Sequence, residues 1–158
     1  TRGIADEAAV EAALFDGKTP LLIPAEGQEM PADFRRVILG WNNSVEALTA
    51  VRAALPILRQ AETVSIAIID PPRHGPDRSD PGTPLSRMLS RHGVSAEITV
   101  LARTLPRISD VIERHVADFE ADLMVVGAYS HSRFREAIMG GTTRGLLERA
   151  AIPVFMAH

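Results

Sequence analysis

Residues 123–127 read Leu-Met-Val-Val-Gly, residues 140–143 read Gly-Gly-Thr-Thr, and residues 152–157 read Ile-Pro-Val-Phe-Met-Ala. A short, uninterrupted apolar run such as 123–127 is typical of an interior strand that is covered on both faces. The glycines and threonines predict the start of a helix, which ends before the last apolar run. Two strands joined by a helix predict parallel pairing through a right-handed crossover.

The same alternation of apolar runs and helix-like stretches extends upstream. Strands are predicted at 37–41, 64–69 and 94–102, and helices at 45–58, 85–91 and 108–120. Ser44 is placed to cap the first of these helices, and Pro56 should kink that helix or end it early. The order β-α-β-α-β-α-β-α-β predicts an α/β fold, an open five-stranded parallel sheet with helices on both faces.

The composition is typical of a soluble globular domain. The 158 residues carry 17 basic and 20 acidic side chains, a net charge of −3, and no cysteine. This balance argues against the basic footprint of sequence-independent nucleic-acid binding, and the absence of cysteine excludes disulfides and thiol catalysis. No apolar run reaches the roughly 20 residues of a membrane span. We therefore expect a cytoplasmic protein with neither nucleic-acid nor membrane partners.

The first 35 residues lie outside the alternating pattern. They predict a helix at Ala5–Phe15, a short strand at Pro20–Pro24 and a polar linker at Ala25–Asp33. This helix and strand parallel the end of the chain, where Thr143–Ala151 precedes the strand 152–156. The interpretation is a remnant of a preceding domain at 1–34 followed by a complete domain at 35–158. An ordinary N-terminal extension is the alternative.

Two segments are expected to meet at the carboxyl edge of the sheet, where open parallel sheets bind ligands. One is Trp41-Asn42-Asn43-Ser44, and the other runs from Gly127 to Thr143. Glycines let the backbone approach a ligand closely, and the unpaired N–H groups of a helix start attract phosphate. The glycines and threonines at 140–143 are therefore either a phosphate cradle or an ordinary helix cap.

Other polar side chains give weaker patterns. Asp70, Asp77, Asp80 and His74 lie in a proline-rich stretch that predicts a mobile loop running to Pro84, and they are either a metal site or solvated residues. His115 lies on the apolar stripe of a helix, as a partly buried core or interface side chain. No set of residues predicts a catalytic site.

The combined pattern resembles the universal stress protein family. The resemblance covers about Arg35–His158, and it is carried by the first strand with its turn and by three C-terminal stretches. The first strand with its turn is Val37–Trp41 with Asn42-Asn43-Ser44. The three C-terminal stretches are Val125-Val126-Gly127-Ala128-Tyr129-Ser130-His131-Ser132, Met139-Gly140-Gly141-Thr142-Thr143, and Ile152-Pro153-Val154. The resemblance implies a five-stranded parallel sheet in the order 3-2-1-4-5.

The family's nucleotide motif is Gly, two residues, Gly, nine residues, then Gly followed by Ser or Thr. Gly127 and Gly140 match its first and third glycines, whereas Ser130 replaces the second glycine and Gly141 replaces the Ser or Thr. Asn42 replaces an acidic residue that helps to hold the nucleotide in the family. The site implied by the resemblance is therefore altered but retained.

If a nucleotide binds, the resemblance implies ATP with Mg²⁺. Its adenine and ribose would lie near Trp41, Asn42, Ile69 and Asp70, and its ribose and phosphates near Gly127, Ser130, Gly140, Gly141, Thr142 and Thr143. The implied function is a stress-response regulatory module with little or no hydrolysis. The alternative is a module that binds no nucleotide and acts through protein–protein association. The resemblance also implies a second domain of this family, paired with strand 152–156 either by residues 20–24 or by another chain.

Overall fold

The computed structural model describes residues 4–69, 81–128 and 141–158. The strands are β1 (Leu21–Ile23), β2 (Arg36–Gly40), β3 (Thr63–Ile69), β4 (Ala96–Leu101), β5 (Leu123–Gly127) and β6 (Val154–Ala157). The helices are α1 (Ile4–Glu11), which a π-helical turn continues (Ala12–Asp16), α2 (Val45–Leu58), α3 (Thr83–Arg91), α4 (Ile108–Phe119) and α5 (Gly141–Arg149).

These strands form one mixed sheet in the order β1-β6-β5-β2-β3-β4. Strands β2 to β6 are parallel, and their order is the predicted 3-2-1-4-5. The sheet has six strands rather than five, because β1 adds to the edge of β6. This pair is antiparallel, with Leu21 opposite Met156 and Ile23 opposite Val154, which confirms the predicted pairing of 20–24 with the last strand.

Alternate side chains of the interior strands supply two separate apolar clusters. On one face, Val37, Leu39 and Val125 pack under α2 and α3. On the other face, Ile38 and Met124 pack with side chains of α4, α5 and the N-terminal residues. Both faces are covered, which is why the sequence of these strands is continuously apolar instead of alternating.

Local signals explain most element ends, although several predicted boundaries were wrong by one or two residues. The side chain of Ser44 accepts a hydrogen bond from the Ala47 N–H, as predicted, whereas Pro56 does not end α2 early, since the helix contains it and runs to Leu58. The loop predicted to reach Pro84 ends earlier, since α3 begins at Thr83. Pro84 fits the first helical turn, where no backbone N–H is needed for an intrahelical bond. None of the helices within the described ranges has the length and apolar character of a membrane span.

We call residues 4–24 the N-terminal segment. This segment is part of the apolar core, because Leu14 is fully buried and packs with Met124, Leu146 and Met156. Its strand also hydrogen-bonds to β6. The interpretation of residues 1–34 as the end of a preceding domain stays a prediction.

Candidate functional site

The order of the strands reverses between β2 and β5. These two strands are parallel neighbours, with Gly40 opposite Val126, but the chain leaves β2 toward β3 and leaves β5 toward β6. The connections therefore diverge at the carboxyl edge of the sheet. A crevice at such a switch point is where open α/β sheets bind their ligands.

Three of the strand ends reach the same level of this edge. Ile69 is the last residue of β3. When the register between β2 and β3 is continued for two residues beyond the end of β2, Asn42 lies beside Ile69. The register of β2 with β5 likewise places Ala128 beside Asn42. By this register Asn42, Ile69 and Ala128 lie at one level of the edge, and that they hold a ligand together stays a prediction.

Trp41 contributes less to this edge than its position suggested. Its side chain is 8% exposed and belongs to the apolar cluster under α2. The indole Nε1 donates a hydrogen bond to the Pro81 carbonyl at 2.8 Å. The ring therefore packs beneath the edge as part of the core, and its hydrogen bond fixes the backbone at Pro81, just before α3. The indole N–H is the only polar group of the side chain, and it is already bonded.

Asn42 and Ser44 form a polar turn that leads into α2. The Ser44 hydroxyl donates to Asn42 Oδ1 at 2.6 Å and accepts a bond from the Ala47 N–H at 3.1 Å. Between them Asn43 adopts a left-handed conformation, with φ of 58°. Val45, the first residue of α2, is 77% exposed, so an apolar side chain stands open to solvent beside this turn.

Gly127 is required by packing against α2. A Cβ atom at this position would lie 2.4 Å from the backbone nitrogen of Ala47 and 2.6 Å from the carbonyl carbon of Glu46. Both atoms belong to the first turn of α2, so the end of β5 touches the start of that helix directly. The sequence predicted a glycine that a ligand approaches, whereas the nearest neighbour is the protein's own backbone.

Helix α5 begins at Gly141 and returns the chain from β5 to β6. Thr142 and Thr143 lie in its first turn, and Thr143 is buried. Arg144 follows them and forms an ion pair with Glu148, with Nε and Oε1 2.7 Å apart. The N–H groups of a first helical turn lack intrahelical acceptors, so this turn is suited to an anionic group.

Several candidate residues lie outside the described residues. They are Asp70, Ser130 and Gly140 of the predicted nucleotide site, and His74, Asp77 and Asp80 of the alternative metal site. Within the described ranges, no three His, Asp or Glu side chains are placed to hold a metal ion together.

Sequence reasoning missed one residue at this edge, His158. Its Nδ1 lies 2.9 Å from the Ala128 carbonyl oxygen, next to the point where β5 ends. The alternation of β6 contains the signal, since Val154 and Met156 face the same cluster and His158 continues that series.

A second polar cluster lies away from the edge, between the sheet and α4. The Ser65 hydroxyl contacts Thr99 Oγ1 at 3.0 Å and His115 Nε2 at 3.2 Å. Desolvation lowers the pKa of His115, while the carboxylates of Asp118 and Glu97 act in the opposite direction. His115 is thus a partly buried core residue, one of its two predicted roles.

This lowered pKa predicts that acid destabilises the protein through His115. The unfolded chain binds the proton more tightly, so the free energy of unfolding should fall as the pH drops below the ordinary histidine value of 6.5. Urea titrations of wild type and His115→Gln at pH 7.5 and 5.5 measure this, with a smaller difference expected for the variant. The exposed His92 supplies the control His92→Gln. Equal pH dependence in all three proteins would contradict the assignment.

Comparisons with known proteins agree with this architecture. The model of the universal stress protein family matches residues 33–158. A universal stress protein from Synechocystis is 32% identical over 68 residues, which are 43% of this chain and 23% of the relative.

Two solved structures share the fold at low sequence identity. A universal stress protein from Archaeoglobus fulgidus has a TM-score of 0.68 and 16% identity, over 89% of this chain and 50% of that one. A universal stress protein family protein from Arabidopsis thaliana, solved with AMP bound, has a TM-score of 0.54 and 16% identity, over 76% of this chain and 88% of that one. The chain thus spans half of the Archaeoglobus protein and less than a quarter of the Synechocystis protein.

Proposed function

The chain belongs to the universal stress protein family, and we propose that it is a cytoplasmic stress-response module that binds an adenine nucleotide at the carboxyl edge of its sheet. The observation that carries this proposal is the switch point between β2 and β5, where Asn42, Ile69 and Ala128 come to one level. The similar Arabidopsis protein was solved with AMP bound. That supports an adenine nucleotide as the class of ligand.

The described residues fit the two ends of such a ligand differently. Asn42 lies at the level where the resemblance implies adenine or ribose, and the exposed Val45 provides an apolar surface beside it. The first turn of α5, with Thr142 and Thr143, offers backbone N–H groups and the positive end of the helix dipole to phosphate. The altered motif, with Gly141 in place of a hydroxyl residue, keeps the N–H that binds an anion.

The finer proposal is ATP, whose extra phosphates would bring Mg²⁺ with them. The resemblance places Ser130 and Gly140 in the nucleotide motif and Asp70 near adenine and ribose, and we include all three in the proposed site with Trp41 as its support. We propose regulation rather than turnover, with little or no hydrolysis, because the residues that the motif specifies are glycines and a hydroxyl residue, which supply contacts to phosphate.

Calorimetric titration of the full chain with AMP, ADP and ATP, with and without Mg²⁺, tests the proposal. Ligand that binds only the native state raises its stability by about 2.7 kcal/mol at a hundredfold excess over Kd. Thr143→Ala should weaken binding by about tenfold, the value of one good hydrogen bond to a charged group. Thr49→Ala is the matched control, since the Thr49 hydroxyl bonds the Val45 carbonyl within α2. No heat and no stabilisation at millimolar nucleotide would reject the proposal.

That rejection would favour association as the function. One observation supports this alternative: the indole of Trp41 and the amide oxygen of Asn42 are already bonded within the protein. A module of this kind would act by binding other proteins through its surface. Its test is a pull-down with the full chain as bait, in which the amount of bound partner should be the same with and without added nucleotide.

We also propose that residues 1–34 are the end of a preceding domain of the same family. Helix α1 with β1 repeats the pattern of α5 with β6, and the two strands pair antiparallel, as two equivalent edges would. Residues 20–24 thereby stand in for the second domain, which another chain would otherwise supply.

A further inference from the structure

The N-terminal segment touches the protein at two points beside the proposed nucleotide site. One point is the end of β5, reached through His158, and the other is the first turn of α5. Because the two points flank the edge from different elements, the segment can influence both sides of the site.

The first point is a buried carbonyl group. Ala128 is fully buried, and its N–H donates to the Ala157 carbonyl at 2.8 Å. Its own carbonyl oxygen lies 2.9 Å from His158 Nδ1, which must carry a hydrogen to donate to it. A buried carbonyl without a partner is costly, so this imidazole fixes the position of the backbone directly after Gly127.

The imidazole is held in turn by the N-terminal segment. The ring of Phe15 meets the ring of His158 edge-on, with centroids 4.5 Å apart and an angle of 65°. Phe15 belongs to the π-helical turn Ala12–Asp16. Such turns are rare and occur frequently at functional sites, and the extra residue per turn changes the direction in which a side chain points.

The second point is an ion pair at the start of α5. Arg144 Nε lies 3.9 Å from Glu7 Oε1, in addition to its contact with Glu148. Arg144 directly follows Thr143, which the proposed function assigns to phosphate binding. A displacement of α1 therefore removes a carboxylate from the turn that would hold the phosphates.

We propose that the docked N-terminal segment sets the affinity of the nucleotide site, with His158 as the positioning residue between Phe15 and Ala128. This inference rests on the proposed function. Coupling between two sites is reciprocal, so nucleotide binding in turn strengthens the docking of the segment. The segment is thus a regulatory element for the site as well as a cover for the edge of β6.

AMP titrations of full-chain variants measure the coupling. We expect His158→Ala to weaken AMP binding by about tenfold and Phe15→Leu by about fivefold, within the usual range for coupled sites. The double variant should be no weaker than His158→Ala alone, because Phe15 acts through the imidazole. His158→Asn should recover part of the affinity, since its amide nitrogen can donate in place of Nδ1. Additive effects in the double variant would overturn the proposed route.

The ion pair has its own matched control. Glu7→Gln should strengthen AMP binding by about twofold, because it removes a negative charge beside the turn that would hold the phosphate, and the effect is small because the pair is partly exposed. Glu11→Gln removes the same charge from the same helix, and Glu11 makes no ion pair with the described residues. Equal effects of the two variants would remove the ion pair from the proposal.

Amide hydrogen exchange without nucleotide separates this inference from the proposed function. Phe15→Leu and His158→Ala should each accelerate exchange of the Ala128 N–H by about tenfold, because the end of β5 opens more often. If wild type binds AMP and the variants bind it equally well, the regulation is wrong and the proposed function stands. If wild type binds no nucleotide, both the proposed function and its regulation by the N-terminal segment are wrong. Accelerated exchange in the variants would then show only that the segment stabilises the end of β5. Unchanged exchange would overturn the coupling itself.

Discussion

Gly127→Ala is expected to lower the free energy of unfolding by about 3 kcal/mol or more, at the upper end of the usual cost of overpacking. The added Cβ would lie 2.4 Å from the Ala47 backbone nitrogen, and backbone atoms of a capped helix cannot turn aside as a side chain could. Either β5 or α2 must shift, and the shift would reach the interior strands of the sheet. Urea denaturation followed by circular dichroism measures the change.

Gly27→Ala is the control for this substitution. A Cβ at Gly27 meets nothing within 4 Å, although its φ of +72° makes the backbone strained for alanine. We expect a loss of about 1 kcal/mol there, from the backbone alone. Similar losses at the two glycines would show that the contact between β5 and α2 is looser than the structure has it.

Leu14→Ala is expected to cost about 2–5 kcal/mol, the range for truncating a fully buried leucine. Leu14 has no exposed surface, and its side chain packs with Met124, Leu146 and Met156 from three elements of the domain. A segment that merely lay on the domain would tolerate the change. Thermal and urea denaturation of the full chain give the value.

Leu22→Ala serves as the comparison for Leu14→Ala. Leu22 lies in β1 of the same segment but is 37% exposed, so its truncation should cost well under half as much. If Leu14→Ala were as mild as this control, the N-terminal segment would be an appendage, and its proposed regulatory role would lose its basis.

The fold was largely predictable from hydrophobic patterning. The runs at 37–41, 64–69 and 123–127 are each apolar on both faces, a pattern that requires helices above and below a parallel sheet. The resemblance to a family then supplied the strand order, which periodicity alone leaves open. The resemblance also implied a partner strand for the edge of β6, and residues 20–24 were one of the two candidates for it.

The candidate site was less predictable because several of its residues make packing contacts and hydrogen bonds within the protein, which the sequence does not show. The sequence shows a tryptophan at the ligand edge, but its burial and its bond to Pro81 depend on how the chain returns after residue 80. Gly127 fits a nucleotide motif, and only coordinates reveal that α2 lies against it. The alternation of β6 indicates which face His158 occupies, but its contact joins residues 30 positions apart, and the sequence does not show that Ala128 is the partner.

The antiparallel pair of β1 and β6 has a mechanical consequence. Leu21, where the chain enters β1, stands opposite Met156, near the point where it leaves β6. Tension applied at the start of β1 and at the end of β6 therefore pulls across the strands, along their hydrogen bonds, and loads these bonds one after another. Strands loaded in this way separate one hydrogen bond at a time, so the force needed is far lower than for strands pulled along their length, where all the bonds are loaded together. Under such a load we expect β1 to separate from β6 before the five parallel strands separate from one another.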